Sequence, residues 1–555
     1  MGFKDLFIYN GNNKATDDFV LLPSDNTLHQ NGVNNLIQTD ISDKTTVLYK
    51  NGKISSVLKE NLQFIKDAFC NDKNFDFVIR EFAISCQEKS KDGFLVFYDG
   101  LSNADFINRD ILGGLLSKPI SLPPEKVSAD FIFSSLIPQA PLSRITEIAQ
   151  VIEMVGFGNC AIFIDGCDCS FVADVKGFGG RGVGSPITEA VLSGPQEAFN
   201  EKLMTNIGLI RKILKDSNLI SEKISVGEKS NTPCSLMYIN GLTNPSLVDE
   251  VRRRLSGIKT DYIFSSTDIE MFIEESTLFP LPQVIKTERP DRAASFLADG
   301  KVVILVQGSP FALVLPATAA DLIEASEDNY VRVEEASFMK IIRILGILIS
   351  LLLPGTFVAI SLYHHESIPT DLLFAIEATR EIVPFPIITE LLLMEFAFEL
   401  IKEASVRIPN PIGSTIGIVG GLILGQAAVS ANLVSPILII VVSVAGLGAF
   451  ATPSVSLSRA ISAMRFVFII LGGIAGFLGL AAGLCVSLSA LASRTSVGVP
   501  YLSPITPRKR HGLFQSILVT PIWKRELRPQ NLKTQIPRKQ PHISRKWTEE
   551  TEENN

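Results

Sequence analysis

The chain has 555 residues, 46% hydrophobic and 20% charged, with a formal net charge of −7 and a mean hydropathy of +0.27. The apolar runs are confined to about residues 339–492, which excludes an ordinary soluble enzyme and divides the chain into parts. The acidic balance gives no case for a nucleic-acid partner.

Residues 1–54 read as a polar N-terminal extension. Its first 40 residues contain no apolar core of the length a secretory signal needs, so the soluble region is expected in the cytoplasm. Residues 55–325 have the mixed charge and short apolar strands of an α/β region, and they read as a duplication. FLVFYDGLSN (94–103) and SLMYINGLTN (235–244) each end a strand in Gly-Leu-Ser/Thr-Asn, with Gly100 and Gly241 lying 141 residues apart. CAIFIDGCDCSFVADV (160–175) and VVILVQGSPFALVLP (302–316) each read as two strands joined across a glycine, with Gly166 and Gly308 142 apart. Two pairs held at one offset predict two related subdomains, 55–215 and 216–325. The Asn after each strand is positioned to cap the next helix.

Cys160, Cys167 and Cys169 lack the spacing of a zinc site and read as structural thiols. GFGGRG (177–182) matches GxGxxG, yet Gly184, Ser185 and Pro186 interrupt the helix that would have to follow, so it reads as a surface loop rather than a nucleotide site. With no GxxxxGK[ST], HExxH or GxSxG, nothing implies an enzyme, a metal or a cofactor.

Residues 326–492 read as an all-α polytopic membrane domain. The first span is about 339–363, with a kink expected at Pro354; Lys340 and Arg343 mark its start as cytoplasmic. Residues 370–408 are apolar but carry Glu377, Arg380, Glu381, Glu390, Glu395 and Glu399, and Pro384 and Pro386 break them into two helices. Glu395 and Glu399 are one turn apart on one face, whereas Glu390 is rotated by roughly 140° from Glu395. These acids, with Gln426 and Asn432, are candidates for an ion path or gate; the alternative is an interfacial element whose acids meet water.

In 412–431, Gly413, Gly417, Gly421 and Gly425 recur every fourth residue along one side of a helix. Each would cost about 1 kcal/mol relative to Ala in a soluble helix, but in a bilayer such a face lets another backbone approach. Further spans are expected at 434–451 and, as one helix, 466–491. Four full spans plus a partly inserted charged segment would leave residues 493–555, a basic and mostly disordered tail, on the cytoplasmic side; five would place it outside. Between Arg508 and Lys546 the tail carries eleven Lys or Arg against one acid, Glu526, which suits an anionic membrane surface.

The strings PFPIITELLLMEFAFELIKEASVRIP, IGSTIGIVGGLILGQAAVSANLVSPILIIVVSV, ERPDRAASFLADGKVVILVQGSPFALVLPAT and VGVPYLSP resemble the A subunits of bacterial spore germinant receptors, the GerA family. SPITEAVLSGPQEAFNEKLMTNIGLIRKI (185–213) is similar to a further family pattern, departing from it at Ser185, Gln196 and Ala198, which weakens any inter-domain salt bridge built on those positions. The resemblance implies a sensor component of the spore inner membrane. Its partners would be a transporter-like B subunit that takes the germinant and a lipoprotein C subunit, and it would homo-oligomerise into a nutrient-gated cation channel. A paralogue assisting the dipicolinate-release channel is an alternative, as is a secondary transporter, although the detectable repeat lies outside the membrane region.

Overall fold

Alternating and continuous apolar runs between glycine turns build two five-stranded sheets, and the long apolar runs build a helix bundle beside them. The computed structural model describes residues 21, 52–87, 90–116, 123, 127–137, 141–177, 184–276, 280–406, 423–506 and 518–541. The decoy loop 178–182 and the ladder residues Gly413, Gly417 and Gly421 lie outside them.

The first unit contains α1 (Leu58–Ala68), β1 (Phe77–Ser85), β2 (Ser90–Tyr98), β3 (Leu142–Ile145), α2 (Ile148–Gly156), β4 (Cys160–Ile164) and β5 (Ser170–Ala173). Its strand order is β1-β2-β4-β5-β3. The second contains α3 (Leu203–Ile213), β6 (Leu219–Val226), β7 (Thr232–Ile239), α4 (Pro245–Ser256), α5 (Ser266–Ile273), β8 (Ile285–Thr287), α6 (Pro290–Ala298), β9 (Val302–Val306) and β10 (Ala312–Leu315). Its order, β6-β7-β9-β10-β8, repeats the first position for position. One face of the first sheet is covered by α1 and α2, through Ile65, Ile148, Val151 and Val155. The same face of the second is covered by α3 and α6, through Ile207, Ile210, Ala293 and Leu297. Gly100 and Gly241 turn at φ +86° and +76°, and Gly166 and Gly308 at +75° and +86°, a region that admits glycine most readily. Asn103 accepts from the backbone amides of Asp105 and Phe106, and Asn244 from that of Ser246, so both asparagines cap helices.

Two expectations need correction. Every strand pairing in both sheets is antiparallel, so the units are α+β rather than α/β with parallel crossovers. And α3, expected in the first subdomain, packs in the core of the second, which begins by Leu203 rather than at 216.

A buried ion pair locks the units together. The Arg211 guanidinium on α3 reaches Asp76 with Nε to Oδ2 at 2.5 Å and Nη2 to Oδ1 at 2.8 Å. It also donates to Asn74 Oδ1 at 3.1 Å and Leu219 O at 2.9 Å, and lies 4.1 Å above the Tyr98 ring. Gly208 brings the backbones together, since a Cβ there would lie 2.5 Å from Gly100 O. Gln196, one of the divergent positions, instead donates to Val191 O within the connecting segment.

The bundle consists of α7 (Val333–Tyr363), α8 (Thr370–Arg380), α9 (Ile387–Val406), a helical stretch at 423–430, α10 (Pro436–Phe450) and α11 (Val455–Ser493). Two of these, α7 and α11, are long and apolar enough to cross a membrane. Pro354 sits inside an unbroken α7, while Pro384 and Pro386 fall in the break between α8 and α9.

The run expected as one helix over 466–491 is a hairpin. In a straight helix Leu471 and Gly483 would be about 18 Å apart along the axis. Here a Cβ on Gly483 would lie 2.6 Å from Leu471 Cδ1 and 3.4 Å from Phe468 Cε1. The reversal is at Gly476, with φ 58° and ψ −139°, a combination side-chain-bearing residues avoid. Tyr363 Oη lies 2.9 Å from the carbonyls of both Gly473 and Ile474, so its single proton is shared between acceptors that the break frees. The first limb, 455–475, runs parallel to α7: Ser350 meets Arg465 and Tyr363 meets Gly473. The second limb, 477–493, returns, placing Leu480 in one cluster with Phe468 of the first limb and Ala359 of α7, against which Leu484 also packs.

The described part of the tail is not free chain. β11 (Thr495–Ser496) and β12 (Val499–Pro500) form a short hairpin whose Val497 and Val499 join the core of the second unit. Leu532 is fully buried in that core beside Leu21. Around it Asn244 donates to Lys533 O at 3.1 Å, Gln535 N to Leu242 O at 2.9 Å, and Lys539 pairs with Asp299 at 2.6 Å. The disorder expected of these residues fails because the few apolar side chains among the charges have a core to enter.

Arg211→Met is expected to destabilise the chain by about 3–5 kcal/mol by leaving Asp76 buried and unpaired, read as hydrogen-exchange protection lost from β1 and α3. Leu532→Ala is expected to cost about 2–5 kcal/mol and to expose the second unit, rather than the first, to limited proteolysis.

Candidate functional site

A fully buried charge pair sits where α7, α9, α10 and the first limb of α11 meet. Arg465 and Glu395 are both 0% exposed, with Arg465 Nη1 to Glu395 Oε2 at 2.7 Å. Arg465 Nη2 donates to Ser350 Oγ on α7 at 2.6 Å and lies 3.4 Å from Ala445 O on α10. One guanidinium therefore touches all four helices. Taking both charges out of water costs several kcal/mol each, which only this geometry offsets. Arg465 Nε and Glu395 Oε1 have no hydrogen-bond partner among the described residues, so the pair is only partly satisfied.

Small residues bring the helices close enough for this contact. A Cβ on Gly472 would lie 2.5 Å from Gly355 O, joining α7 to α11, and one on Gly448 would overlap the Gly346 carbonyl, joining α7 to α10. Gly425, the one described member of the ladder, faces Ile439 Cγ2 at an ordinary 3.5 Å.

The other candidates separate. Glu390 is buried, and its Oε1 accepts the Ser435 amide at the start of α10, where a helix N-terminus favours an anion; its Oε2 has no partner among the described residues. Glu399 is part-exposed and lies 3.7 Å from Lys402 Nζ, which also donates to Ser462 Oγ at 3.2 Å. Glu395 and Glu399 thus have different environments despite their one-turn spacing. Gln426 and Asn432 are exposed, and Asn432 turns the chain at φ +54°. Arg465 is not among the candidates read from the sequence. Its signal was available: it is the sole charged residue between 460 and 493, and so needed a buried acid.

The bundle is continuous with the second sheet unit. Leu457 and Ile461 on α11 belong to the same apolar core as Ile207, Leu297 and Val303, with Ile347, Leu351 and Leu491 packed against it. Arg343 pairs with buried Asp328 at 2.6 Å where α7 leaves the soluble part. Ser496 Oγ donates to Gln283 O at 2.8 Å, and Tyr501 Oη to Pro282 O at 2.9 Å. At this seam burial, reinforced by the neighbouring Glu270, pushes the Glu274 carboxyl up to about 7.

The family described as Bacillus/Clostridium GerA spore germination protein matches residues 63–531. Spore germination protein KA of Bacillus subtilis (strain 168) is 36% identical over 82% of this chain and 84% of its own length. The uncharacterized membrane protein YfkQ of the same organism is 34% identical over 86% of this chain and 91% of its own. The crystal structure of the N-terminal domain of the A subunit of the Bacillus megaterium spore germinant receptor GerK3 aligns at 26% identity and a TM-score of 0.34, covering 47% of this chain and 96% of that one. The chain belongs to the GerA spore germination protein family.

Proposed function

We propose that this chain is the A subunit of a nutrient germinant receptor in the spore inner membrane, converting germinant capture by a B subunit into cation release. A lipoprotein C subunit completes the receptor, and copies of this chain assemble around the conducting path. The sheet units lie on the core side. The observation that carries the reading is the partly satisfied Arg465–Glu395 pair, joined through α11 to the core of the second sheet unit. Movement in that unit is transmitted to α7 and α11 without a flexible joint.

Helix directions support six membrane crossings. Proceeding along α9, Glu390, Glu395 and Lys402 meet Ser435, Arg465 and Ser462, so α9 runs against the first limb of α11 and therefore against α7. α10 runs with α9, since Ser435 lies by Glu390 and Phe450 by Phe398. The chain between α9 and α10 must then change sides once. The limbs of α11, 21 and 17 residues by their bounds, would span about 31 and 26 Å, near the roughly 30 Å of a hydrocarbon core. An even number of crossings returns the tail to the sheet units against which it packs.

A paralogue role beside the dipicolinate-release channel is the second reading, favoured by nearly equal similarity to YfkQ, which is named only as a membrane protein. Deleting the genes for each candidate partner in turn separates the two, since the receptor reading requires loss of nutrient response when B or C is removed.

Arg465→Met alone is expected to cost about 3–5 kcal/mol and to deplete the chain from spore membranes, because Glu395 is left unpaired. Arg465→Met with Glu395→Leu is expected to restore its abundance while nutrient-triggered potassium efflux stays lost. Normal efflux in the double variant, at matched abundance, removes the pair from the mechanism and leaves it a structural contact.

A further inference from the structure

We propose that residues 518–527, LVTPIWKREL, form a membrane-surface anchor that docks on an anionic lipid bilayer. This rests on the membrane-spanning reading above. The segment is held in place by its backbone and basic groups: Val519 N donates to Ser337 Oγ at 3.1 Å, Arg525 Nη1 to Asn329 Oδ1 at 3.2 Å, and Gln540 Nε2 to Ile522 O at 2.7 Å. Ser337 lies two residues before the long apolar run of α7 begins. The segment is thus fixed at the entry of α7, between Glu334 and Glu335 on one side and the bases Lys340 and Arg343 on the other, about 10 Å along the helix before uninterrupted apolar sequence begins at Ile344.

What it presents there suits lipid. Leu518, Ile522, Trp523 and Leu527 are 40%, 62%, 41% and 53% exposed, on a segment whose backbone is anchored. That apolar surface continues into Phe338 and Met339 at the start of α7, which are 60% and 44% exposed. A tryptophan with an apolar body and a polar ring edge, an exposed lysine beside it and apolar side chains on either side is the composition that partitions into a headgroup layer. The eleven bases against one acid between 508 and 546 set the sign of the headgroup. The soluble part is in this way tied to the bilayer twice, through α7 and through the returning tail.

Trp523 is itself the reporter, since the chain has only one other tryptophan, Trp547. The full chain carrying Trp547→Phe is reconstituted in phosphatidylcholine vesicles with and without phosphatidylglycerol, and its emission is followed with brominated lipids and aqueous iodide. The expected result is loss of emission with bromines high on the acyl chain, less with bromines near the methyl end, and little loss with iodide. Removing phosphatidylglycerol, or introducing Lys524→Glu with Arg525→Glu, is expected to weaken the bromine effect. Full iodide access with no bromolipid effect overturns the proposal, as does shielding from both quenchers in vesicles and detergent alike, which assigns the surface to a protein partner. Val486→Trp in a Trp523→Phe, Trp547→Phe background is the control for the bundle. Quenching there by deep bromines without quenching of Trp523 overturns the anchor alone, and absence of quenching at both positions overturns the membrane reading with it.

Discussion

A single guanidinium inside an apolar bundle dictates much of this architecture. Arg465 cannot be left without an acid, Glu395 cannot be left without a base, and the two can meet only if α9 lies against the first limb of α11. Ser350 and Ala445 then fix α7 and α10 around the same point. The glycines at 346, 355, 448 and 472 serve that meeting, because larger side chains would hold the backbones too far apart. An apolar bundle of this composition has many nearly equivalent packings, and one charged contact shared by four helices selects among them.

The duplicated sheets are alike in topology and unlike in duty. The first unit meets the rest through a buried pair, Arg211 with Asp76, while the second shares its apolar core with α7 and α11. Both far faces carry helical segments, 104–116 and 129–136 on the first and α4 and α5 on the second, but the second also has the tail docked beneath its helices. Of two scaffolds with the same strand order, the bundle and the described tail pack onto one.

The repeat was legible because it rests on local chemistry. Gly100, Gly241, Gly166 and Gly308 mark tight turns, and Asn103 and Asn244 mark helix starts, so their spacing survives in the sequence even where identity does not. The hairpins β4–β5 and β9–β10 were legible as two apolar runs joined across a glycine, whereas the antiparallel pairing of strands distant in sequence was not, because strand direction there depends on which strands meet rather than on any one strand's composition. The hairpin at Gly476 was hidden for a similar reason. A run with glycines at 472, 473, 476, 479 and 483 reads equally well as one thinned helix or as two helices in close contact, and only the distance between its ends separates them. At the candidate site the acids were visible as charges in an apolar run, but their partners were not: Glu390 is met by a backbone amide and Glu395 by an arginine 70 residues away.

The place of Leu532 carries a consequence for the order in which the molecule can be completed. The second sheet unit leaves the ribosome long before the tail does, with the entire helix bundle made in between. Until Leu532 arrives, the core beside Leu247 and Val251 has an open apolar face, so the part of the chain synthesised early is sealed by a residue synthesised only after the bundle. On the membrane-spanning reading proposed above, a chain whose bundle is laid down in the wrong orientation delivers its tail to the wrong side and leaves that core unsealed.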